Sequence, residues 1–204
     1  MQLRGRFQRS FFEHGCLAAA PSLLGAYLVH RIGPGDERVG RIVEVEAYLG
    51  DGSDPSSHSH RGETRRNRAM FGPPGHLYVY RSYGIHICAN VVCEAPGRGA
   101  ALLLRAVEPL AGLAAMRAVR GLRPDAPDRE LGNGPGKLCQ ALDIRLDDYG
   151  TSLLHGRLRL RPRQPGDPHP RVARSTRIGI SKGRERPYRF FVADHPCVSH
   201  GRPS

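Results

Sequence analysis

Tryptophan is missing from this chain of 204 residues, and lysine occurs only twice, at Lys137 and Lys182. Without tryptophan, the broad apolar platform on which a sugar ring stacks has no obvious source. The five cysteines are odd in number and form no CxxC pair, so neither a disulfide framework nor a zinc ribbon is indicated. Histidines at 58, 60, 76 and 86 lack zinc spacing such as HExxH, and no metal or cofactor is expected. The longest uncharged run, from Gly15 to Val29, is 15 residues, short of the roughly 18–20 that a membrane helix needs. Arginines 4, 6 and 9 ahead of it imitate a secretory signal, but Glu13 and His14 interrupt the apolar stretch and Pro21 splits it. The reading is a protein of the cytoplasm with no membrane association.

Positive charge is abundant. The formal net charge is +12, and 29 of the 31 basic residues are arginine, so a polyanion is the first partner to consider. Glycine and proline together number 42, below the share expected of low-complexity disorder, so loops should be many but ordered. The length suits one core.

Along the chain, "CLAAAPSLLGAYLVHRI" reads as a short helix running into a strand, and "GPGDE" as the turn of a hairpin leading to the strand "RVGRIVEVEAY". "HLYVYRSYGIHICANVVC" and "GAALLLRAVEP" have the alternation of two further strands. "LAGLAAMRAVRGL" has helical spacing at Leu110, Leu113, Ala114 and Val119. A loop "RPDAPDRELGNGPGK" precedes a short helix in "KLCQALDI", and the tail returns to strands at "GRLRLRPR", "RIGIS" and "YRFFVA". Strands in runs with few helices between them predict an α+β fold: a single compact domain with a curved, mainly antiparallel β-sheet and flanking helices.

Strict alternation in "GRIVEVEAY" places Ile42, Glu44, Glu46 and Tyr48 on one face and Val43, Val45 and Ala47 on a core face. A carboxylate beside an aromatic ring, near "YVYRSYG" with three of the chain's seven tyrosines, is the densest chemistry in the sequence. Tyrosines among arginines suit stacked nucleobases. Tyr83 has the opposite parity to Tyr78 and Tyr80 and precedes Gly84, as at a bend.

"GRIVEVEAY", "DPSSH", "RRNRAMFGPPGHLYVYRSYGIHICANVVC", "LLLRAVEPL", "GPGKLCQAL" and "RIGIS...RPYRFFVADHPCVS" resemble, in order, the alkyladenine (methylpurine) DNA glycosylase family. The resemblance runs from about Phe11 to Ser199. It implies a flexible extension over residues 1–10 before a catalytic domain over 11–200. It further implies a monomer, cytoplasmic and nucleoid-associated in a bacterium, acting on double-stranded DNA that contains damaged purines. Glu46 would be the base that activates water, and Arg105 would help to hold that water. Tyr48 and Tyr80 would sandwich the extruded base, with His58 completing the stack. Asn90 would exclude guanine through its exocyclic amine. Tyr83 would be the wedge that fills the duplex, and Lys137 at a helix start would meet a DNA phosphate. His60, two residues beyond His58, offers the same chemistry.

These roles are physically coherent. A base inside stacked duplex is out of reach, so it must be extruded, the gap filled and the base trapped. Glycosidases commonly pair an acid with a second carboxylate, but an alkylated purine is already cationic and leaves without an acid. Neither lysine falls in the "EAY" or "YVYRSYG" blocks, which argues against a Schiff-base lyase and for water as nucleophile. Two rivals remain: a paired-carboxylate glycoside hydrolase using Glu44 with Glu46, and a non-catalytic nucleic-acid-binding module. "GNGPGKL" imitates a phosphate loop, but Leu131 and Leu138 stand where glycine and Ser/Thr belong.

Overall fold

A computed structural model describes residues 3–199. Two short helices, α1 (Arg9–Glu13) and α2 (Cys16–Leu23), lead into the hairpin β1 (Tyr27–Gly33) and β2 (Asp36–Tyr48). A second hairpin follows, β3 (Leu77–Ser82) and β4 (His86–Cys93), and then the long strand β5 (Ala100–Ala111). Helices α3 (Leu113–Arg120), α4 (Arg129–Gly132) and α5 (Pro135–Ala141) precede the short strands β6 (Leu158–Arg161), β7 (Val172–Ser175) and β8 (Arg189–Val192). The fold is α+β, as the runs of strands imply.

All pairings between these strands are antiparallel, in the order β3-β4-β5-β2-β1-β6, with β8 joining β2 and β7 joining β8. β2 organises the sheet. One edge pairs with β5 along most of its length, while the other pairs with β1 over residues 36–41 and then with β8 over residues 44–46.

The change of partner coincides with two bulges. Ile42 faces Val107 and Glu44 faces Ala106, which makes Val43 an extra residue of β2; Val45 then faces Leu104, which makes Arg105 an extra residue of β5. Bulges bend a strand and re-aim its side chains. Strict alternation is therefore corrected here: Ile42 joins Val45 and Ala47 in the main core, and Val43 packs on the other face with Ala106 and Cys197.

Other boundaries move for local reasons. "HLYVYRSYGIHICANVVC" is a hairpin and not one strand, because Tyr83 and Gly84 both have positive φ, 49° and 71°, and Ile85 N–H closes the turn onto Ser82 O at 3.0 Å. Leu110 belongs to β5, since Gly112 in the left-handed region opens α3, whose buried residue is Met116. The loop after α3 contains α4, and α5 starts at Pro135, where a missing N–H costs nothing. "RIGIS" is not a strand, because Ile178 gives its N–H to a side chain, that of Glu46.

The main core lies between the sheet and its helices, where Leu77, Val79, Ala89 and Val91 of the second hairpin meet Leu138 and Leu142. The other face of that hairpin carries Tyr78, Tyr80, Cys88 and Asn90. Among the described residues no helix is long and apolar enough to cross a membrane.

Candidate active site

The free face of the sheet brings one row of residues into register across four strands. Tyr78 on β3 faces Asn90 on β4, Asn90 faces Leu103 on β5, and Leu103 faces Glu46 on β2. Tyr80 and Cys88 form the next row. Above these rows lies a cavity of about 500 Å³. Its walls include Tyr48, His58, Tyr80, Tyr83, Asn90 and Arg105, six of the eight residues singled out from the sequence. Glu46 lies just beneath the floor, and Lys137 lies outside.

Glu46 has no exposed surface. One carboxylate oxygen accepts the Ile178 N–H at 2.7 Å; the other accepts the Tyr48 hydroxyl at 2.9 Å and a nitrogen of Arg105 at 3.3 Å. All three donors come from residues that line the cavity. Burial pushes the Glu46 carboxyl above its usual range, and Arg105, the Ile178 amide and Tyr48 only partly offset it. A carboxylate held this way is a better base than one in water.

Glu44 is differently placed. Its carboxylate accepts Arg105 Nε at 3.0 Å, Arg189 Nε at 2.7 Å, and the Ser199 amide and hydroxyl at 2.7 and 2.8 Å. With its acceptor positions occupied and no exposed surface, it orients Arg105 rather than offering a second acid or base.

The aromatic walls have fixed orientations. Tyr78 and Tyr80 stack with centroids 5.5 Å apart at 24°, and His58 meets Tyr80 edge-on at 4.5 Å and 76°, perpendicular to the plane expected of a third stacked ring. His58 Nδ1 shares a 2.9 Å hydrogen bond with the Tyr78 hydroxyl. Its loop is pinned by Asn67, whose amide donates to the carbonyls of His58 and Gly62 at 2.8 and 3.0 Å. Burial, and then the Arg66 charge, pull the His58 pKa down, favouring a neutral ring. His60 is exposed, as is His58, but unlike His58 it lies outside the cavity. Asn90 is buried and gives its amide to Tyr78 O at 3.0 Å.

Tyr83 is 86% exposed at the tip of its turn, and Ile85 beside it is 71% exposed. A tyrosine at φ 49° is costly enough to need a reason. Beside this tip, α5 approaches so closely that a Cβ on Gly136 would lie 3.0 Å from His86 Cβ. Lys137 on α5 is exposed, its ammonium 2.9 Å from Asn133 Oδ1.

Asp54, Arg177 and Ile178 escaped the sequence reading. Arg177 lies 4.6 Å over the Tyr48 ring and is unexposed. Nothing in a chain with 29 arginines distinguishes it, although Asp54 stands in the quoted "DPSSH". Among the described residues no group of three or more His, Cys, Asp or Glu is placed to hold a metal ion.

Comparison with known proteins bears on this geometry. The family model described as methylpurine-DNA glycosylase matches residues 10–196. A protein of Methanoculleus marisnigri named "Putative 3-methyladenine DNA glycosylase" is 49% identical over 195 residues, 93% of this chain and 96% of its own. Proteins of the same name from Nitrosospira multiformis and Carboxydothermus hydrogenoformans are 49% and 42% identical, covering 92% and 94% of this chain and 91% and 97% of their own.

Proposed function

The chain belongs to the methylpurine-DNA glycosylase family, and from that premise we propose that it extrudes damaged purines from duplex DNA and hydrolyses their N-glycosidic bond with a water activated by Glu46. The observation that carries this reading is the buried Glu46 carboxylate under a tyrosine-walled cavity, tied to the cavity through Tyr48, Arg105 and Ile178.

The steps follow from the residues. Tyr83 on its strained tip enters the duplex in place of the lost nucleotide, and arginines around the rim hold the phosphates. Extrusion costs a few kcal/mol, which stacking between Tyr48 and Tyr80 recovers at about 1–3 kcal/mol per ring. Neutral His58 offers a nitrogen near the sugar, and Asn90 on the floor discriminates among purine edges. Lys137 meets a phosphate beside the Tyr83 tip. Glu46 takes a proton from the attacking water, and its negative charge stabilises the cationic sugar that develops as the base departs. Arg105, oriented by Glu44, fixes the water.

Glu44 is fully engaged with arginines and Ser199, which weighs against a paired-carboxylate hydrolase. With one free carboxylate and no evident acid, cationic alkylated purines should leave faster than the neutral deaminated base hypoxanthine.

Single-turnover release from a methylated duplex and a hypoxanthine duplex tests the proposal. Glu46→Gln should fold and bind DNA but lose release by about 10²–10⁴, the usual worth of a positioned base. Near-normal release by that variant sinks the assignment. Wild type that binds and releases nothing would identify a damage-binding module.

A further inference from the structure

The edge of the sheet farthest in strand order from β3 carries a second concavity. β6 ends that order, on the opposite side from the tyrosine hairpin. Arg159 on β6 stands opposite Val29, Arg161 stands opposite Tyr27, and Arg31 on β1 stands opposite Glu37. Alternation puts these side chains on the face away from the main core, which takes Leu28, Leu158 and Leu160. All of them but Tyr27, together with Leu3 and Arg4, line a cavity of about 260 Å³ that shares no residue with the tyrosine cavity.

Its charges do not balance. Four arginines face a single carboxylate, Glu37, which accepts Arg31 Nε at 2.5 Å and lies 3.9 Å from Arg159. The other contacts are neutral: Arg159 donates to Gly156 O at 3.1 Å and Arg161 to Gly5 O at 2.7 Å. Carbonyls satisfy these N–H groups and leave the charge uncancelled. Among the described residues the Nε of Arg159 is buried with no hydrogen-bond partner. Burial, and then the charges of Arg31 and Arg161, hold Arg159 below its ordinary value, and the Glu37 carboxylate offsets them only in part.

We propose that this arginine cavity on the β1–β6 edge is a phosphate-binding site separate from the lesion pocket. Guanidiniums suit phosphate because their forked N–H groups match its oxygens. Two or three of them around one anion would cancel the excess charge. The phosphate comes either from the backbone of a second DNA segment or from a free polyphosphate anion.

Calorimetric titration of the full chain with inorganic pyrophosphate tests the site directly. Wild type should bind one equivalent. Arg31→Gln changes a side chain that is 61% exposed, so folding is not at stake, and should weaken binding about tenfold, the worth of one charge-assisted hydrogen bond. Glu37→Gln removes the competing carboxylate and should strengthen binding. No binding, or binding indifferent to both substitutions, overturns the proposal.

A second arm identifies the source. Donor- and acceptor-labelled lesion-free duplexes are mixed with the protein and energy transfer between them is read. Transfer that pyrophosphate abolishes and Arg31→Gln diminishes assigns the site to a second DNA segment; pyrophosphate binding without transfer assigns it to a free polyphosphate. Both arms read binding to undamaged ligands, so a failure of the glycosylase reading would leave this test intact.

Discussion

Arg177 and Asp54 meet through two hydrogen bonds of 2.6 and 2.7 Å with neither side chain exposed to solvent. The same guanidinium donates to Ala47 O at 2.9 Å and lies 4.6 Å over the Tyr48 ring, while the next residue, Ile178, gives its N–H to Glu46. One buried pair thus sets the height of the Tyr48 ring and one of the bonds on the Glu46 carboxylate. Burial opposes the charge on Asp54, but the hydrogen bonds and charge of Arg177 outweigh it and hold the carboxyl below its usual range.

Breaking that pair from one side should be severe. Asp54→Asn or Arg177→Met leaves a charged or polar group buried without its partner, a loss of about 3–5 kcal/mol that thermal or urea unfolding would register. The double variant should lose less than the sum of the singles, because the two share one interaction. The folded carboxyl is depressed, so the contribution of the pair is present above the unfolded value of about 4 and fades as pH falls through the folded value. Asp36, Asp51, Glu108 and Asp167 are depressed as well and keep their own share of the acid limb; additive losses, or an acid limb no smaller in Asp54→Asn, would contradict this account.

Tyr48→Phe separates the ring from its hydroxyl. The ring keeps its stacking face, but Glu46 loses a donor that lowers its pKa. The Glu46 carboxyl, already raised by burial, should rise further. On the proposed mechanism release requires the ionised form, so in wild type it should fall at a pH above the ordinary glutamate range, and in Tyr48→Phe this acid limb should move to still higher pH. A limb that stays in place or moves to lower pH would show that the hydroxyl does not tune Glu46.

Glu44 and Glu46 should fail in different ways. Glu44→Gln leaves Arg105 and Arg189 buried with only partial compensation, costing about 3–5 kcal/mol by the same argument. Per folded molecule it should still release base, more slowly where Arg105 has lost its orientation. Loss of release in Glu44→Gln as complete as in Glu46→Gln, with stability intact, would revive a two-carboxylate mechanism.

Much of this site could be read from the sequence because its residues fall in short, ordered blocks on regular strands. Period-two alternation put Tyr78 and Tyr80 on one face, as the hairpin does; it set Tyr83 on the opposite face, whereas Tyr83 stands in the turn and lines the same cavity. The reading failed where backbone and side chain exchange partners. Alternation through residues 42–45 could not anticipate Val43 and Arg105 as extra residues, because a bulge is fixed by the register between two strands. "RIGIS" has strand-like composition, but its place is decided by Glu46 and Asp54, more than 120 residues away. Arg177 and Arg31 look alike in sequence, and only the fold buries one and leaves the other in water.

Tyr83→Gly opposes stability to function at one residue. A side chain in the left-handed region costs roughly 1–2 kcal/mol that glycine avoids, and a ring 86% exposed contributes little packing in return. Glycine there loses more chain entropy on folding, so the net effect should be no loss and at most about 1 kcal/mol of gain, measured by urea unfolding. The side chain proposed as the wedge, however, is gone. Release of a paired lesion from duplex should fall at least tenfold, since even 1.4 kcal/mol of the extrusion cost left uncompensated has that effect. Release of the same lesion from a mismatched or bulged site should fall much less, because there the base is already partly unstacked. If the variant were clearly less stable, the ring would be part of the fold. If paired and mismatched lesions lost rate equally, Tyr83 would act within the pocket and not as a wedge in the duplex.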